Sequence, residues 1–367
     1  MKAIIVGGGI MGLCTAWALL RAGHRPVLYE QGPIPNPLAS SCDQHRVIRY
    51  TYGAMTGYAR MVGEAYAAWE RLWADLGRRH YQETGTLLVA RADDDWLHAS
   101  LDCLTAMAVP VETWQPSELA HRLPFLDFGS AGWALYTPSG GVLFAERILR
   151  DLADHLNAHG AELHESTAVR AIDPARATVR LADGRQDAAD RLIVTAGPWT
   201  ARLLPSLAPR ITPSRQVAIY LEPPAGQLAA WRAAPVVLDQ FEAAQGGYYA
   251  LPPVGGTSLK LGDHSFSLRG DPDREREPTS DEVEAALAVA RRWLVGFERY
   301  RVAGAKTCFY SVTEGERFIA EPVEQAWVLA GFSGHGFKFG AVIGEALAET
   351  LDGRRSPVAL TGWAAGG

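Results

Sequence analysis

Gly7, Gly9 and Gly12 stand in the run Gly7-Gly8-Gly9-Ile10-Met11-Gly12, behind the apolar stretch Lys2 to Val6 and ahead of a second one, Leu13 to Ala22. G-x-G-x-x-G between a short buried strand and a helix suits a diphosphate. One glycine makes the tight turn, one lets the backbone approach the phosphates, and one lets the helix pack closely. The helix N-terminus then faces the phosphates with N–H groups that have no intrahelical acceptor. Glycines also make ordinary turns, so the triplet alone is a weak signal. After Gly23 a second strand, Pro26 to Tyr29, ends at Glu30, where an acidic side chain takes ribose hydroxyls. Strand, triplet, helix, strand and acid together predict a dinucleotide site that includes Ile10, Met11 and Gln31, and the acid disfavours NADP.

NAD and FAD both fit so far, and three later segments favour FAD. An amphipathic helix, Phe144 to His159, is followed by strands at Glu162 to His164 and Ala168-Val169-Arg170, then by a hairpin from Ala177 to Leu192 around Asp183-Gly184. Arg191 to Val194 reads as a buried strand that joins the N-terminal sheet and stops at Thr195-Ala196-Gly197-Pro198-Trp199. Near the C-terminus, strand Trp327 to Ala330 leads into Gly331-Phe332-Ser333-Gly334-His335-Gly336-Phe337-Lys338 and a helix from Phe339 to Leu351. A second glycine-rich helix entry so far from the first suggests one long cofactor lying across the domain.

Between these pieces the pattern changes to strands of alternating or aromatic character: Thr86 to Ala90, Gln216 to Leu221, Pro235 to Phe241, Tyr248 to Leu251, Ser258 to Leu261 and Ala305 to Ser311. A helix starts behind Pro278 with Thr279 and Glu282 spaced as a capping box. Another, Tyr58 to Leu76, carries Val62, Tyr66, Trp69 and Trp73 on one face, a stripe that reads as core. The fold class is α/β (α+β two-domain): a Rossmann-like FAD-binding domain over 1–79, 143–212 and 306–367, with an inserted, mostly antiparallel β-sheet substrate domain over 80–142 and 213–305.

Bulk properties narrow the function classes. A chain of 367 residues that is 48% hydrophobic can bury a large core. With 35 basic against 41 acidic side chains and no basic block, nucleic acid is not expected as a partner. No signal-peptide pattern and no bilayer-length apolar run are present, so a cytoplasmic protein without a membrane partner is expected. Cys14, Cys42, Cys103 and Cys308 lie far apart without ligand spacing, which argues against a structural metal or a disulfide framework.

Longer motifs are more specific: Ser40-Ser41-Cys42-Asp43-Gln44-His45-Arg46-Val47-Ile48-Arg49-Tyr50-Thr51-Tyr52-Gly53, Pro138 to Phe144, Leu259-Lys260-Leu261-Gly262-Asp263-His264-Ser265-Phe266, Lys306-Thr307-Cys308-Phe309-Tyr310, and Gly331 to Lys338. Through them nearly the whole chain resembles the monomeric sarcosine oxidase group of the D-amino-acid-oxidase superfamily, which includes N-methyltryptophan, pipecolate and fructosyl amino acid oxidases. The resemblance implies FAD joined by a thioether to Cys308; taken alone, a cysteine in a strand is more often a small buried hydrophobe. It implies a substrate carboxylate held by Arg49 and Lys338, with His264 near the amine, Tyr249 and Tyr310 lining the pocket, and Arg46 facing the flavin region. It also implies that Lys260 lies near flavin N5 on the same strand face as His264, as a cation for oxygen reduction.

Cofactor contacts are expected further at Ser41, Cys42, Val169, Ala196, Gly197, Trp199, Gly331, Gly334, His335, Gly336, Phe337 and Lys338. One departure is visible, because family members tend to have His-His-Gly-Asp-Thr before the first arginine and this chain has Ser41-Cys42-Asp43-Gln44-His45. The implied reaction is oxidation of the C–N bond of a secondary amino or imino acid to an imine, with oxygen reduced to hydrogen peroxide by a monomer or weak dimer. Two other classes stand beside it: a dehydrogenase that passes electrons to a protein or quinone, and a non-catalytic FAD-binding protein.

Overall fold

A computed structural model describes residues 1–367 apart from 91–92, 130, 240–246 and 264. The N-terminal pattern folds into a six-stranded sheet in the order Ile319–Val323, Ala326–Ala330, Arg191–Val194, Lys2–Val6, Arg25–Tyr29 and Glu162–His164. All neighbours are parallel except the Ile319–Val323 edge strand. Strand alternation sorts the side chains: Ala3 and Ile5 join the core under the helices, while Ile4 and Val6 face a second core with Val179 and Leu181. Those two residues belong to a three-stranded sheet, Val169–Asp173, Thr178–Leu181 and Gln186–Ala188, which covers the other face.

Helices Ile10–Arg21 and Gly340–Leu351 cross closely under the parallel sheet. A Cβ built on Gly344 would stand 2.6 Å from the backbone oxygen of Cys14, so the crossing depends on the missing side chain. Helix Thr56–Leu76 packs against the same core through Val62, Trp69 and Trp73, as the stripe predicts, with Tyr66 partly buried beside them.

The inserted unit is an eight-stranded sheet in the order Arg301–Val312, Thr212–Glu222, Leu259–Asp263, Tyr248–Leu251, Val236–Asp239, Thr86–Ala90, Trp133–Thr137 and Glu112–Trp114. Its neighbours are antiparallel except for Val236–Asp239 beside Thr86–Ala90. Behind it lies helix Ser280–Trp293, where Glu282 accepts from the Thr279 N–H at 2.7 Å and the Thr279 hydroxyl accepts from the Glu282 N–H at 3.3 Å. Phe241, placed in a strand from sequence, is outside the described residues.

Strand pairings cross three of the expected domain boundaries. A cut at 305/306 falls inside the Arg301–Val312 strand, which pairs with Thr212–Glu222 along its length, so Lys306, Cys308 and Tyr310 belong to the eight-stranded sheet. The cuts at 79/80 and 142/143 are also crossed, because Arg46–Ile48, Gly141–Leu143 and Tyr81–Glu83 form one small sheet across them. Hydrophobic pattern marks a strand but not the sheet it joins, and hydrogen bonding decides that. Among the described residues no helix is long and apolar enough to cross a membrane.

The helix crossing yields a first prediction. In an exposed helix, glycine to alanine gains about 1 kcal/mol of propensity; at Gly344 the new methyl meets backbone that cannot rotate away, and overpacking costs about 1–3 kcal/mol. Gly344→Ala should therefore lower the denaturant midpoint of unfolding. A raised midpoint would show that the helices do not cross as closely as described.

Candidate functional site

The first strand ends at Gly7, and the chain folds back so tightly that a Cβ on Gly12 would lie 1.9 Å from the Gly7 carbonyl oxygen. Only glycine can start the helix there. The Ile10 N–H is capped by the Ser41 hydroxyl at 3.0 Å. The next N–H groups of the first turn open toward an elongated cavity of about 280 Å³ lined by Gly7, Gly9, Ile10 and Met11. Glu30 and Gln31 close one end. The buried Glu30 carboxylate accepts from the Gly8 N–H at 2.6 Å, the Gly32 N–H at 3.0 Å and Asn36 Nδ2 at 2.7 Å. Those bonds use three of its roughly four acceptor positions and leave room for a hydroxyl.

Val169, Ala196, Gly197 and Trp199 also line this cavity, as do Ser41, Arg46, Tyr310, Gly334, Gly336 and Phe337. Gly334 has φ +80°, and a Cβ there would strike the Tyr310 ring at 2.5 Å, so the glycine-rich turn fits only against that tyrosine. A backbone cradle at a helix start, an acid at the second strand and a long cleft between them fit FAD by shape and by donor chemistry.

A second cavity, about 200 Å³, shares Arg46, Tyr310, Ser333, Gly334 and Phe337 with the first. It contains Arg49 and Lys338, which lie 289 positions apart in the chain. The Arg49 guanidinium sits between Tyr52 and Trp96, 4.9 and 5.8 Å from their ring centres, and donates to the Thr51 hydroxyl at 3.3 Å. Lys338 is 3% exposed and donates to the Tyr52 hydroxyl at 2.9 Å and the His335 carbonyl at 2.8 Å. Among the described residues neither cation has a carboxylate within ion-pair distance. Tyr52 O–H lies 3.1 Å from His335 Nδ1, and His335 Nε2 lies 3.1 Å from the Glu316 carbonyl. Because a carbonyl only accepts and Lys338 only donates, the network assigns the Nε2–H tautomer to His335.

Electrostatics follows from this enclosure. Burial, with the like charge of Arg49, pushes the Lys338 ammonium well below its ordinary range. Burial also lowers Arg49, although a guanidinium stays charged. The Glu316 carboxyl is raised by burial, against the pull of Arg49 and Lys338. The rest of the wall includes Met55, Leu251 and Phe266. Such a cavity, part apolar and part polar with Arg49 and Lys338 converging in it, suits a small molecule that ends in a carboxylate.

Several expected contacts fall elsewhere. His335 and Lys338 line the second cavity and not the elongated one. Gly12 and Gly331 line neither cavity and act through packing. Cys42 and Cys308 border a third space of about 20 Å³ together with Arg46, Lys260, Tyr249 and Tyr310. Cys308 shares its strand face with Tyr310, because the two are two residues apart on Arg301–Val312. Lys260 is 3% exposed and borders the second and third spaces, with Tyr249 and Tyr310 beside it. It does not stand there as an isolated cation, because Asp43 accepts from it at 2.5 Å. His264 lies outside the described residues. Tyr52, Trp96, Glu316 and the role of Asp43 were not assigned from sequence; only Tyr52, three residues after Arg49, had a local signal.

The family model "FAD dependent oxidoreductase" (DAO) matches residues 2–350. The chain is 29% identical over 370 residues to a monomeric sarcosine oxidase of Bacillus sp. (strain B-0618), covering 98% of this chain and 92% of that protein. It is 29% identical over 357 residues to the peroxisomal sarcosine oxidase of Homo sapiens, with 95% and 91% covered. Among solved structures it superposes on L-proline dehydrogenase from P. horikoshii with a TM-score of 0.82 at 18% identity, covering 98% and 95% of the two chains.

A carboxylate placed between Arg49 and Lys338 should raise the depressed Lys338 pKa, so binding should be accompanied by proton uptake. Affinity for propionate should hold below the pKa of the free site and fall as pH rises from there toward the pKa of the complex. Calorimetry in buffers of different ionisation enthalpy measures the uptake. Lys338→Met should abolish the uptake and weaken binding, and a parent that binds propionate without exchanging protons would place the anion elsewhere.

Proposed function

The chain belongs to the DAO family of FAD-dependent oxidoreductases, and on that premise we propose that it oxidises the C–N bond of a secondary amino acid, N-alkyl or cyclic, to an imine. The observation behind this reading is the adjoining of two cavities, one suited to FAD and the other holding Arg49 and Lys338 with no carboxylate within ion-pair distance among the described residues. FAD, when bound, supplies a two-electron acceptor for hydrogen from the carbon beside the amine, and oxygen then takes those electrons to give hydrogen peroxide.

The protein's own residues do the positioning. Arg49 offers two parallel N–H groups to the substrate carboxylate and Lys338 a point charge beside it. Tyr52 orients Lys338, and the aromatic faces of Tyr52 and Trp96 hold the guanidinium. That anchoring turns the amine end toward the side that both cavities share. Oxidation needs the amine lone pair, and Arg46, Arg49, Lys260 and Lys338 all disfavour a further cation in the same space, so the bound amine sheds its proton without a strong base. Lys260 supplies a fixed cation in a water-poor wall, where an anion developing on oxygen gains far more than in bulk water. Cys308 is the proposed attachment point for the flavin; in support, it borders the third space together with Arg46 and Tyr310, two residues that also line the elongated cavity.

Anaerobic flavin bleaching across a panel of N-methyl and cyclic amino acids tests the reaction. Admission of air should restore the yellow colour and yield peroxide. Lys260→Met should leave bleaching largely unchanged and slow reoxidation by at least about a hundredfold, as expected for loss of one electrostatic donor worth about 2.7 kcal/mol. Unchanged reoxidation would favour a dehydrogenase with another electron acceptor. For the attachment, flavin fluorescence should stay with the acid-precipitated polypeptide and be released in Cys308→Ala; free FAD in the supernatant of the parent would remove Cys308 from this role.

A further inference from the structure

The loop that carries Arg46 also carries an acid that the reaction above leaves unused. Asp43 is buried, and its two oxygens gather donors from three parts of the chain. Oδ2 accepts from Lys260 Nζ at 2.5 Å and from Arg46 Nη1, while Oδ1 accepts from the Tyr220 hydroxyl at 2.7 Å and the Gln44 N–H at 2.7 Å. Arg46 is fixed from its other side by the Ser40 carbonyl at 2.7 Å. Among the described residues Asp43 is the only hydrogen-bond acceptor that Lys260 has. A buried ammonium without such a partner loses its hydration and gains nothing in return, so it gives up its proton.

We propose that Asp43 is a positioning residue that acts through Lys260: its carboxylate pins the lysine ammonium beside the Arg46 guanidinium and keeps it charged at the wall between the cavities. The proposal rests on the reading of Lys260 as the cation for oxygen. Without the carboxylate, two like charges would share a buried wall, and of the two only lysine can shed its proton readily.

The surroundings isolate this pair. The loop contributes Cys42, Asp43, His45 and Arg46; the adjoining strands contribute Tyr220, Tyr249, Lys306, Cys308 and Tyr310. Burial pushes His45 down to about 3, so it is neutral, and burial raises Tyr220, Tyr249 and Tyr310, which keeps them protonated. Lys306 is turned to the Cys42 carbonyl at 2.7 Å. Burial opposes ionisation of Asp43 as well, but Lys260 and Arg46 outweigh it and hold the carboxyl well below its usual range. Lys260 itself is pushed down to about 8 by burial and by Arg46, against the pull of Asp43. Lys260 thus changes charge just above neutrality, and loss of Asp43 lowers it further.

The test is a pH titration of the absorption spectrum of the oxidised holoenzyme without substrate. The parent should show a transition near pH 8 that is absent in Lys260→Met. Asp43→Asn should move the midpoint to lower pH by one unit or more, the size expected when an opposite charge in direct contact is removed. Tyr220→Phe preserves shape and removes one donor from the carboxylate, so its pull on Lys260 grows and the midpoint should move the opposite way. If Asp43→Asn does not fold or load FAD, Tyr220→Phe decides by the sign of its shift. A midpoint that stays in place in Asp43→Asn, or fails to rise in Tyr220→Phe, overturns the proposal. Should oxygen react equally fast with Lys260→Met while the titration still follows Asp43, the oxygen reading fails and the positioning role stands.

Discussion

Arg49 and Lys338, held in one cavity with no carboxylate within ion-pair distance of either among the described residues, are the constraint around which the rest of the site is arranged. Burying a charge is costly unless a partner compensates. Arg49 and Lys338 are supported by aromatic faces, the hydroxyls of Tyr52 and Thr51 and one backbone carbonyl, none of which carries a compensating charge. Glu316 is the acid that faces the pair, and it stands beyond ion-pair distance. On the proposed reading, an anionic ligand completes this site.

The contrast with Lys260 and Arg46 shows two uses of buried charge within one fold. There a single carboxylate, Asp43, is bonded to both cations, so this wall carries its compensation and needs no ligand for it. The same strand, Leu259–Asp263, places Leu259 and Leu261 in the core of the eight-stranded sheet, and period-two alternation turns Lys260 the other way. Core packing on one face thereby fixes the position of a charge on the other.

The cofactor cradle was legible in the sequence because it is local: strand, glycines, helix, second strand and acid fall within thirty residues, and the structure brings Gly7, Gly9 and Glu30 to one cavity. The pairing of Arg49 with Lys338 had no local signature and came from the family resemblance alone. The Asp43 clamp was not legible, since its partners Lys260 and Tyr220 lie 217 and 177 positions away and converge only through strand order. The same limit applies to the boundary at 305/306, where periodicity identified a strand and only its pairing showed which sheet holds Cys308 and Tyr310.

The central claim is that the substrate is held by its carboxylate while its amine end meets the cofactor cavity. Stopped-flow measurement of anaerobic flavin reduction by proline and by proline methyl ester tests it most directly, because the ester keeps the amine and its carbon and removes only the negative charge. Losing the partner of two desolvated cations should cost about 2–5 kcal/mol, so the apparent second-order rate constant should fall by at least about thirtyfold for the ester. Equal rates for acid and ester would contradict the account, since Arg49 and Lys338 would then hold nothing during the reaction.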